Sequence, residues 1–511
     1  MISNGYRQAR WLEPTVFELS RSGAVGVDFP ELDPELEKSL KNAFKEIPED
    51  LKRNDLGLPE LSELEVVRHF TRLSQMNYGV NSGMYPLGSC TMKYNPAISE
   101  ELVDDERITY IHPLQPLETI QGCLEIMWRL EQILKEITGM ARFSFQPAAG
   151  AHGEFLGCLI IRAYHRDKGM LHKNVMIVPD SAHGTNPASA AMAGYEVRVV
   201  KSDKDGCVDI EMLEKIVDEN VAGIMLTNPN TLGVFEKNID KIVDIIHGVD
   251  GLLYYDGANL NALLGKVRPA DMGFDIVHLN LHKTFSTPHG GGGPGSGPVG
   301  VVEKLVDYLP PPLVEYDEKE DIFYLDYNRP KSVGKIKMFY GNFSVLVKAY
   351  VYLLRIGGEG LVKVAETSVL ASNYLLHKIR KLKGITLPYA PESPRKHEFV
   401  VSLSKLYKET GISAKDVAKR LLDYGYHAPT IYFPTIVEEA FMIEPTESES
   451  KKEIDNFYNA LSKIIEEAYE DPEKIKTAPH NTSVGRVDEF RASHPKTMIP
   501  SWRIYKTRER V

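Results

Sequence analysis

The chain is poor in cysteine and has no long apolar run, and both absences limit what it can be. Its four cysteines (Cys90, Cys123, Cys158 and Cys207) are widely separated and never form a CxxC pair. A disulfide framework and a cysteine-based zinc site are therefore not expected, no metal site is predicted, and a reducing compartment fits. No uninterrupted apolar run approaches the roughly 20 residues of a membrane-spanning helix.

The chain also lacks an excess of positive charge. It has 60 lysines and arginines against 71 aspartates and glutamates, a formal net charge of -11, which argues against nucleic acid or an anionic membrane surface as partner. Residues 1–30 carry charges throughout and have no apolar segment typical of a signal peptide. We therefore expect a cytoplasmic protein, and its 511 residues suffice for two or more domains.

Short apolar runs in the middle of the chain alternate with helical or loop segments. Such runs are typical of buried strands in a mostly parallel sheet. The predicted strands lie at residues 174–178, 196–200, 221–226, 252–255 and 276–281, with one more at 298–303 that is antiparallel or at an edge. Helices are predicted at 118–138, 155–163, past 343 and at 450–469, and a further strand at 398–402.

These elements predict an α/β fold in three parts. Prolines break residues 1–70 into short, charged pieces, which indicates an arm that wraps on a partner. The predicted parts are an N-terminal arm with a substrate-side loop (1–95), a large α/β domain with a mostly parallel sheet (96–343), and a smaller C-terminal α+β domain with a loop-rich tail (344–511).

An acid and a lysine follow two of the predicted strands. Asp256 closes the run 252–255, while Lys283 comes after the run 276–281 and leads into a glycine-rich loop. A pyridoxal 5'-phosphate (PLP) enzyme needs this pair: the lysine amine forms a Schiff base with the cofactor aldehyde, and the aspartate keeps the pyridinium nitrogen protonated so that the ring accepts electrons. Because a buried strand that ends in Asp is common, the neighbouring motifs must decide.

A small-residue turn and a histidine are candidates for further cofactor contacts. Ala149, Gly150 and Ala151 open a predicted helix, where backbone N–H groups bind phosphate well, although an ordinary N-cap turn has the same composition. His183 follows the strand at 174–178 and is predicted to lie flat on the cofactor ring. The competing interpretation is a hydrogen-bonded loop histidine, which is the commoner use.

Amides follow two other strands. Asn228 or Asn230, after the strand at 221–226, can donate to the phenolic oxygen of the cofactor, and Asn259 can reach the same oxygen. The alternative for the first two is a simple Asn-Pro turn.

Near the front, the segment 85–95 packs hydroxyl, thiol, amine and amide groups into one short stretch. Ser89, Cys90 and Thr91 are predicted to bind the substrate carboxylate, and a polar turn at a subunit interface is an equal alternative. Cys90 is rejected as a nucleophile because no base can be placed beside it. Gly290 to Gly295 matches GxGxxG, yet a proline lies inside the motif and no amphipathic helix opens there, so a dinucleotide site is rejected as well.

Taken together, these segments closely resemble the PLP-dependent glycine decarboxylase family, the P-protein of the glycine cleavage system. The resemblance extends from WLEPTVFELS (11–20) to the tail around 500–502. The strings that carry it are MNYGVNSGMYPLGSCTMKYNP (76–96), YIHPLQP (110–116), QPAAGAHGE (146–154), SAHGTNPASA (181–190), DGANLNAL (256–263), LNLHKTFSTPHGGGGPG (279–295), FYGNF (339–343), HAPT (427–430) and MIEPTESESKKE (442–453). One departure is that QPAAGAHGE has Ala and His where single-chain members carry Asn, Ser and Gln. Because of this departure, the resemblance does not say which side chains contact the phosphate.

The resemblance implies PLP fold type I, with Lys283 as the Schiff-base lysine, Asp256 as the pyridinium partner, His183 as the stacking residue and residues 149–151 as the phosphate turn. It also implies that glycine loses its carboxylate as CO2 and that the aminomethyl group passes to the lipoyl arm of the H-protein, with Lys283 and His183 carrying protons. The similarity is to the cofactor-bearing half of a split enzyme. The expected partner is therefore a separate subunit 1, with two copies of each chain in the complex.

Two other classes of function remain as alternatives. One is a different PLP decarboxylase or lyase, which shares the lysine and aspartate but needs no lipoyl transfer. The other is a non-catalytic scaffold subunit that kept the fold, against which the presence of both Lys283 and Asp256 argues.

Overall fold

A computed structural model describes residues 8–53, 56–290 and 295–498 of the chain. Contacts between Cα atoms divide the chain into two compact units. The larger unit is Val80–Ala478, and the smaller combines residues 8–79 with 479–498. No helix in the described part of the chain combines the length and apolar character needed to cross a lipid bilayer.

The described residues form helices throughout the chain. They are α1 (Val16–Leu19), α2 (Pro34–Glu46), α3 (Glu63–Gln75), α4 (Ala97–Val103), α5 (Glu106–Thr109), α6 (Gln121–Thr138), α7 (Gly150–Asp167), α8 (Thr185–Met192), α9 (Ile210–Ile216), α10 (Ile239–His247), α11 (Phe343–Ile379), α12 (Ser404–Thr410), α13 (Ala414–Asp423), α14 (Lys451–Glu470), α15 (Pro472–Lys476), α16 (Glu489–Ser493) and α17 (Pro495–Met498).

The described strands form three sheets. They are β1 (Arg142–Ser144), β2 (Val175–Pro179), β3 (Glu196–Val200), β4 (Val221–Thr227), β5 (Leu252–Gly257), β6 (Ile276–Leu279), β7 (Val299–Val301), β8 (Leu313–Asp317), β9 (Ile322–Asp326), β10 (Phe399–Ser402), β11 (Thr430–Ile431) and β12 (Ala440–Ile443). All five predicted parallel strands are confirmed to within one or two residues at each end.

The main sheet has the order β1-β7-β6-β5-β4-β2-β3, and β2 to β6 run parallel to one another. Helices cover both faces, so β2, β4, β5 and β6 are buried along their whole length, which explains their continuous apolar sequences. The strand predicted at 298–303 is antiparallel, as one alternative held, but it lies between β1 and β6 rather than at an edge.

Helix α7 packs closely against this sheet because its inner face carries glycines. A Cβ on Gly157 would collide with the ring of Tyr254 in β5, and a Cβ on Gly153 would lie 2.9 Å from the Cβ of His278 in β6. The close approach brings the first turn of α7 to the carboxyl ends of the parallel strands, where ligands bind in open α/β sheets.

A second hydrophobic core lies in the C-terminal part of the larger unit. It is built around the antiparallel sheet β10-β12-β11 and includes Phe399, Phe441, Phe457 and Leu461. Helix α11 changes direction at Gly357, whose φ of 65° is left-handed. The part before this break packs on the main core, and most of the part after it packs on the second. The predicted strand at 398–402 and helix at 450–469 are confirmed as β10 and α14.

The boundaries of the two compact units differ from the predicted boundaries of the arm and the tail. Residues 80–95 group with the larger unit, where Met84 is part of the second core, rather than with the arm. The tail beyond 478 groups with the arm: Arg10 donates to the carbonyl of His480 (3.0 Å), and Ser483 donates to that of Ala9 (2.8 Å). Such pairings join chain ends that sequence patterns do not relate, and the boundary at 343 stays a prediction.

Candidate active site

A cavity of about 230 Å³ opens at the carboxyl edge of the main sheet. Its walls come from the first turn of α7 and from the segments that follow β2, β4, β5 and β6, because the carboxyl ends of parallel strands share one edge. Among the lining residues are Lys283, Asp256, His183, residues 149–151, Asn259 and Ser89. The structure therefore brings most of the predicted site residues into one place.

Lys283 lies four residues beyond the end of β6. Its backbone N–H donates to the carbonyl of Asn280 (3.0 Å) in a turn, and Leu281 and Phe285 on either side are fully buried. These apolar neighbours anchor the turn, so the lysine side chain faces the cavity from a rigid base.

Asp256 is 2% exposed and is held by three donors or charges. Its Oδ1 accepts from the N–H of Ala258 (3.0 Å), its Oδ2 accepts from Nδ2 of Asn186 (3.2 Å), and Nε2 of His278 lies 3.4 Å from Oδ1. Burial opposes ionisation, but His278, Lys283 and these hydrogen bonds outweigh it and hold the pKa of Asp256 below its usual value. The aspartate is thus an anion at neutral pH.

His278 connects Asp256 to the protein interior. The hydroxyl of Tyr254 lies 2.6 Å from Nδ1 of His278, and Oδ1 of Asn280 lies 3.0 Å from its Nε2. Burial lowers the pKa of His278, so the ring is neutral. An amide oxygen accepts only, so Nε2 carries the proton and Tyr254 donates to Nδ1. The N–H on Nε2 thus donates to Asn280, and Oδ1 of Asp256 lies farther from Nε2, at 3.4 Å.

Glu154 of α7 is a second carboxyl at the cavity. It accepts from Oγ1 of Thr185 (2.8 Å) and from Oγ of Ser189 (3.3 Å). Burial, and then the negative charge of Asp256, raise the pKa of Glu154 to about 8. Two carboxyls close together in a dry site cannot both ionise easily, so Glu154 is neutral while Asp256 carries the charge.

The predicted phosphate turn is the first turn of α7, which begins at Gly150. N–H groups in the first turn of a helix lack intrahelical partners and face an anion favourably. A Cβ on Gly150 would lie 2.5 Å from Nδ2 of Asn280, and one on Gly297 would collide with the carbonyl of Ala149. Glycine is thus required at both positions for the backbone to approach this closely.

His183 lies at the cavity but makes its hydrogen bond within its own loop. Its Nδ1 is 2.7 Å from Oγ1 of Thr185, and its ring meets Phe433 edge to face, with centroids 5.3 Å apart. Burial lowers the pKa of His183. These contacts fix the ring at the cavity wall, and its stacking on a cofactor stays a prediction.

The amides differ from what the sequence predicted. Asn228 is fully buried and does not line the cavity: its Oδ1 accepts from the N–H of Glu236 (2.9 Å), and its Nδ2 faces Sδ of Met272 (3.8 Å). Thr227 lines the cavity instead, since successive side chains along an extended segment point to opposite sides. Asn228 thus lies away from the described lining of the cavity, and its predicted contact with the cofactor stays a prediction without support from this geometry.

The two alternative amides are also engaged within the protein. Asn230 donates to the carbonyl of Gly206 (2.6 Å). Asn259 lines the cavity, but its Nδ2 donates to the carbonyl of Pro229 (2.9 Å) and to Oε1 of Glu398 (3.1 Å).

Of the three predicted carboxylate binders, Ser89 lines the cavity. The N–H of Ser89 donates to Oε2 of Glu398 (2.6 Å), and the N–H of Thr91 donates to Oε2 of Glu444 (2.8 Å). These backbone donors are thus occupied by protein carboxyls. Burial raises the pKa of Cys90 to about 11, so its thiol is neutral, which supports its rejection as a nucleophile.

Sequence reasoning missed Glu154, His278, Glu398 and Glu444. Glu154 lies inside the phosphate-turn motif, and His278 lies inside a strand that precedes the lysine, so both motifs contained the signal. Glu398 and Glu444 reach the site only through tertiary contacts. The glycine-rich run that was rejected as a dinucleotide site lies partly outside the described residues.

The chain matches two family models. "Glycine cleavage system P-protein" covers residues 36–322, and "Glycine dehydrogenase, C-terminal domain" covers residues 364–484. A curated relative named "Probable glycine dehydrogenase (decarboxylating) subunit 2" from Pyrococcus horikoshii is 61% identical over 98% of both chains. A relative of the same name from Staphylothermus marinus is 53% identical, again over 98% of both chains.

Solved structures share the fold. A crystal structure of glycine decarboxylase (P-protein) of the glycine cleavage system, in inhibitor-bound form, superimposes with a TM-score of 0.73 at 22% identity, over 86% of this chain and 100% of that one. A glutamate decarboxylase from Lactobacillus brevis gives a TM-score of 0.63 at 15% identity, over 82% of this chain and 96% of that one. The predicted fold type I is confirmed. With family matches over most of its length, the chain belongs to the glycine cleavage system P-protein family, in the group of glycine dehydrogenase (decarboxylating) subunit 2.

Proposed function

We propose that this chain is the PLP-bearing subunit of glycine decarboxylase, which releases CO2 from glycine and passes the aminomethyl group to the lipoyl arm of an H-protein. One observation carries the proposal: Lys283, Asp256 and the first turn of α7 converge on a single cavity. A primary amine, a buried carboxylate and a helix N-terminus are the three groups that an aldehyde, a pyridine nitrogen and a phosphate require.

The residues present fit this cofactor. The hydroxyl Oγ1 of Thr227 is buried at the cavity without a protein partner among the described residues, so a ligand atom has a group to meet there. The glycines at 150 and 297 leave the backbone bare where a phosphate would approach. Lys283 would hold the aldehyde carbon, Asp256 the ring nitrogen, and residues 149–151 the phosphate.

When bound, the cofactor supplies an electron sink for the pair of electrons left on the substrate carbon as CO2 departs. Asp256 keeps the ring nitrogen protonated, because Asn186, Ala258 and His278 hold it as an anion in a fixed orientation. Lys283 and His183 both line the cavity, and we assign to them the transfer of protons to and from the reacting carbon.

The cavity favours loss of the substrate carboxylate over its retention. No arginine is among the described residues that line it, so no bidentate ion pair holds a carboxylate there. Lys283 is the one lysine or arginine among the described lining residues, and the neutral carboxyl of Glu154 and the anion Asp256 add no positive charge. A carboxylate in such surroundings is poorly solvated, and CO2 is neutral.

A partner subunit 1 is part of the proposal, with two copies of each chain, as is docking of the lipoylated H-protein. The subunit name of the curated relatives supports the first. We place the complex in the cytoplasm, which agrees with four free cysteines and no disulfide.

The test is exchange of the glycine carboxylate with labelled bicarbonate. The chain is co-expressed with subunit 1 and assayed with and without lipoylated carrier, beside Lys283→Ala. We expect label in glycine only when carrier and Lys283 are both present. In Lys283→Ala the exchange rate should fall by at least about 10³-fold.

Two results separate the alternatives. Methylamine as the product, with no need for carrier, would assign a PLP decarboxylase that ends in simple protonation. A chain without a cofactor absorbance band and without exchange would be a scaffold subunit, and the proposed function would fail.

A further inference from the structure

Three fully buried side chains, His397, Glu398 and Glu444, meet behind the cavity wall at residues 89–91. His397 and Glu398 immediately precede β10, and Glu444 immediately follows β12. Because Phe399 pairs with Ile443, the antiparallel register brings Glu398 and Glu444 to the same end of this sheet. One atom from each of the three side chains lies within 4.8 Å of the others.

The two carboxyls differ in their hydrogen bonds. Both oxygens of Glu398 accept an N–H: Oε2 from Ser89 (2.6 Å) and Oε1 from the amide of Asn259 (3.1 Å). Glu444 accepts from Thr91 on Oε2 (2.8 Å), while its Oε1 has no partner among the described residues. Two N–H donors favour the anionic form of Glu398, and a free oxygen leaves Glu444 a place for a proton.

Oε1 of Glu444 faces a ring nitrogen of His397 that also lacks a hydrogen-bond partner among the described residues. Oε1 of Glu444 lies 3.8 Å from Nε2 of His397, and neither ring nitrogen of His397 has a hydrogen-bond partner in the described structure. Burial lowers the pKa of His397 to about 3, so this ring is neutral and one of its nitrogens accepts. A proton on Glu444 gives both orphaned atoms a partner after a small shift, and such buried groups are normally paired.

We propose that Glu398 and Glu444 hold a single proton between them, carried on Oε1 of Glu444 toward Nε2 of His397, and that this arrangement positions Ser89 at the cofactor cavity. Ser89 and Thr91 have left-handed φ values of 65° and 46°, unusual for residues with side chains. Their N–H groups are aimed at the two carboxyls, which therefore stabilise the strained turn. Three of the four carboxylate oxygens already accept an N–H, so the cluster is a proton site rather than a cation site.

The charges around the cluster are compatible with one negative charge in total. Lys283 acts on both carboxyls from the cavity side and favours ionisation. Glu447 opposes ionisation of Glu444, but it forms an ion pair with Lys93 (2.7 Å). The thiol of Cys90 is neutral. A second anion in this fully desolvated place would have no counter-charge.

Because the two carboxyls share a proton, the conformation of the segment 89–91 should depend on pH. Burial raises the pKa of both carboxyls, and a negative charge on one raises the pKa of the other, so the pair keeps one proton. The charge of Glu444 by itself would favour the proton on Glu398, and the hydrogen bonds decide for Glu444, because both oxygens of Glu398 accept an N–H whereas Oε1 of Glu444 has no partner among the described residues. Since the native state keeps a proton that the unfolded state loses at lower pH, this pair makes the protein less stable as pH rises toward the raised values. We expect the position of Ser89, and with it binding of glycine, to deteriorate at the alkaline end.

Amide isosteres test which carboxyl carries the proton. In Glu444→Gln the amide N–H₂ donates to His397 and its oxygen accepts from Thr91, as the protonated acid does. In Glu398→Gln the N–H₂ must face a donor, either Ser89 or Asn259. With cofactor-loaded full-length chain, we expect Glu444→Gln to melt within about 1 °C of the parent and Glu398→Gln to melt at least about 2 °C lower.

Two further readouts separate this role from a purely structural one. The infrared carbonyl band of a buried protonated carboxyl should lose intensity in Glu444→Gln, with Glu154→Gln as the matched control that removes a different band. The KM for glycine should rise about tenfold or more in Glu398→Gln, with a smaller change in kcat, and stay within about twofold in Glu444→Gln.

The KM readout rests on the proposed function, whereas melting and infrared do not. Equal tolerance of both amides, a Glu444→Gln variant that is the less stable of the two, or a carbonyl band that Glu444→Gln leaves unchanged would each overturn the proposal. Absence of exchange in the parent protein, with the expected melting and infrared results, would reject the proposed activity alone.

Discussion

At the scale of single residues, the site depends on which carboxyl is charged. Asp256 and Glu154 lie in the same cavity, yet the pKa of Asp256 is lowered and that of Glu154 is raised to about 8. His278, Lys283 and two N–H donors favour the anion of Asp256, while Glu154 has only hydroxyl partners and a negative neighbour. Two carboxyl groups in one cavity thus take different protonation states because their surroundings differ.

The variant Asp256→Asn tests the role of this anion. We expect exchange activity to fall by about 10²–10⁴-fold, because an amide does not keep a ring nitrogen protonated. Asp271→Asn is the matched control, since Asp271 forms an exposed ion pair with Arg268 (2.8 Å). Initial rates with saturating cofactor measure the effect, and a variant that keeps more than about a tenth of the parent rate would remove Asp256 from the mechanism.

Sequence patterns singled out Lys283 and Asp256 because Asp256 ends one recognisable apolar run and Lys283 follows another, and their roles toward a cofactor stay predictions. These patterns did not show that Thr227 rather than Asn228 lines the cavity, because successive side chains of an extended segment point to opposite sides and only the structure shows which side faces the cavity. His183 and Ser89 lie at the cavity as predicted, and their contacts with cofactor or substrate stay predictions.

At the scale of elements, the close contact of α7 with the main sheet brings the first turn of α7 to the cavity. Glycines at 150, 153 and 157 lie on the inner face of α7 and allow this approach. Larger residues would push the first turn away from the strand ends. The sequence showed a helix near 155–163, but it did not reveal that the glycines face the sheet, because no pattern fixes the distance between two elements.

Gly157→Ala should destabilise the protein by about 1–3 kcal/mol, since the new Cβ meets the buried ring of Tyr254. Gly122→Ala in α6 is the matched control: nothing lies within 4 Å of its Cβ position, so we expect no loss and a gain of up to about 1 kcal/mol. Denaturant midpoints with unchanged slopes measure both. Equal midpoints would show that α7 is free to shift outward.

At the scale of the whole molecule, buried carboxyls make stability depend on pH. Burial raises the pKa of Glu154 to about 8 and that of Glu449 to about 7. In the unfolded chain these groups lose their protons near pH 4.5, so between about pH 4.5 and the raised values the native state binds more protons, and the free energy of unfolding falls as pH rises. Below about pH 4.5 this contribution is constant.

We therefore expect each of these two groups to lower the free energy of unfolding by at most about 1.4 kcal/mol per pH unit as pH rises from about 5 to its raised pKa. Buried histidines with a lowered pKa, such as His278 and His397, act in the opposite direction below about pH 6.5, so we expect the melting temperature to fall above that pH. Glu154→Gln should flatten the curve, because Thr185 and Ser189 can reorient their hydroxyls toward an amide. Glu359→Gln, at an exposed position of α11, serves as the control. If Glu154→Gln and the control give the same curve, Glu154 is ionised in the native protein.

The sequence by itself determined the parallel strands, the lysine and acid at their ends, and the family, because these depend on local apolar runs and on contiguous motifs. The tertiary structure decided which carboxyls share protons, which amides face the cavity, and how the arm and the tail group together. Those properties depend on burial and on partners far apart in the chain: Ser89 and Glu398, which share a hydrogen bond, are 309 residues apart. Local patterns carry no information about such pairs, whereas burial and distance set their protonation directly.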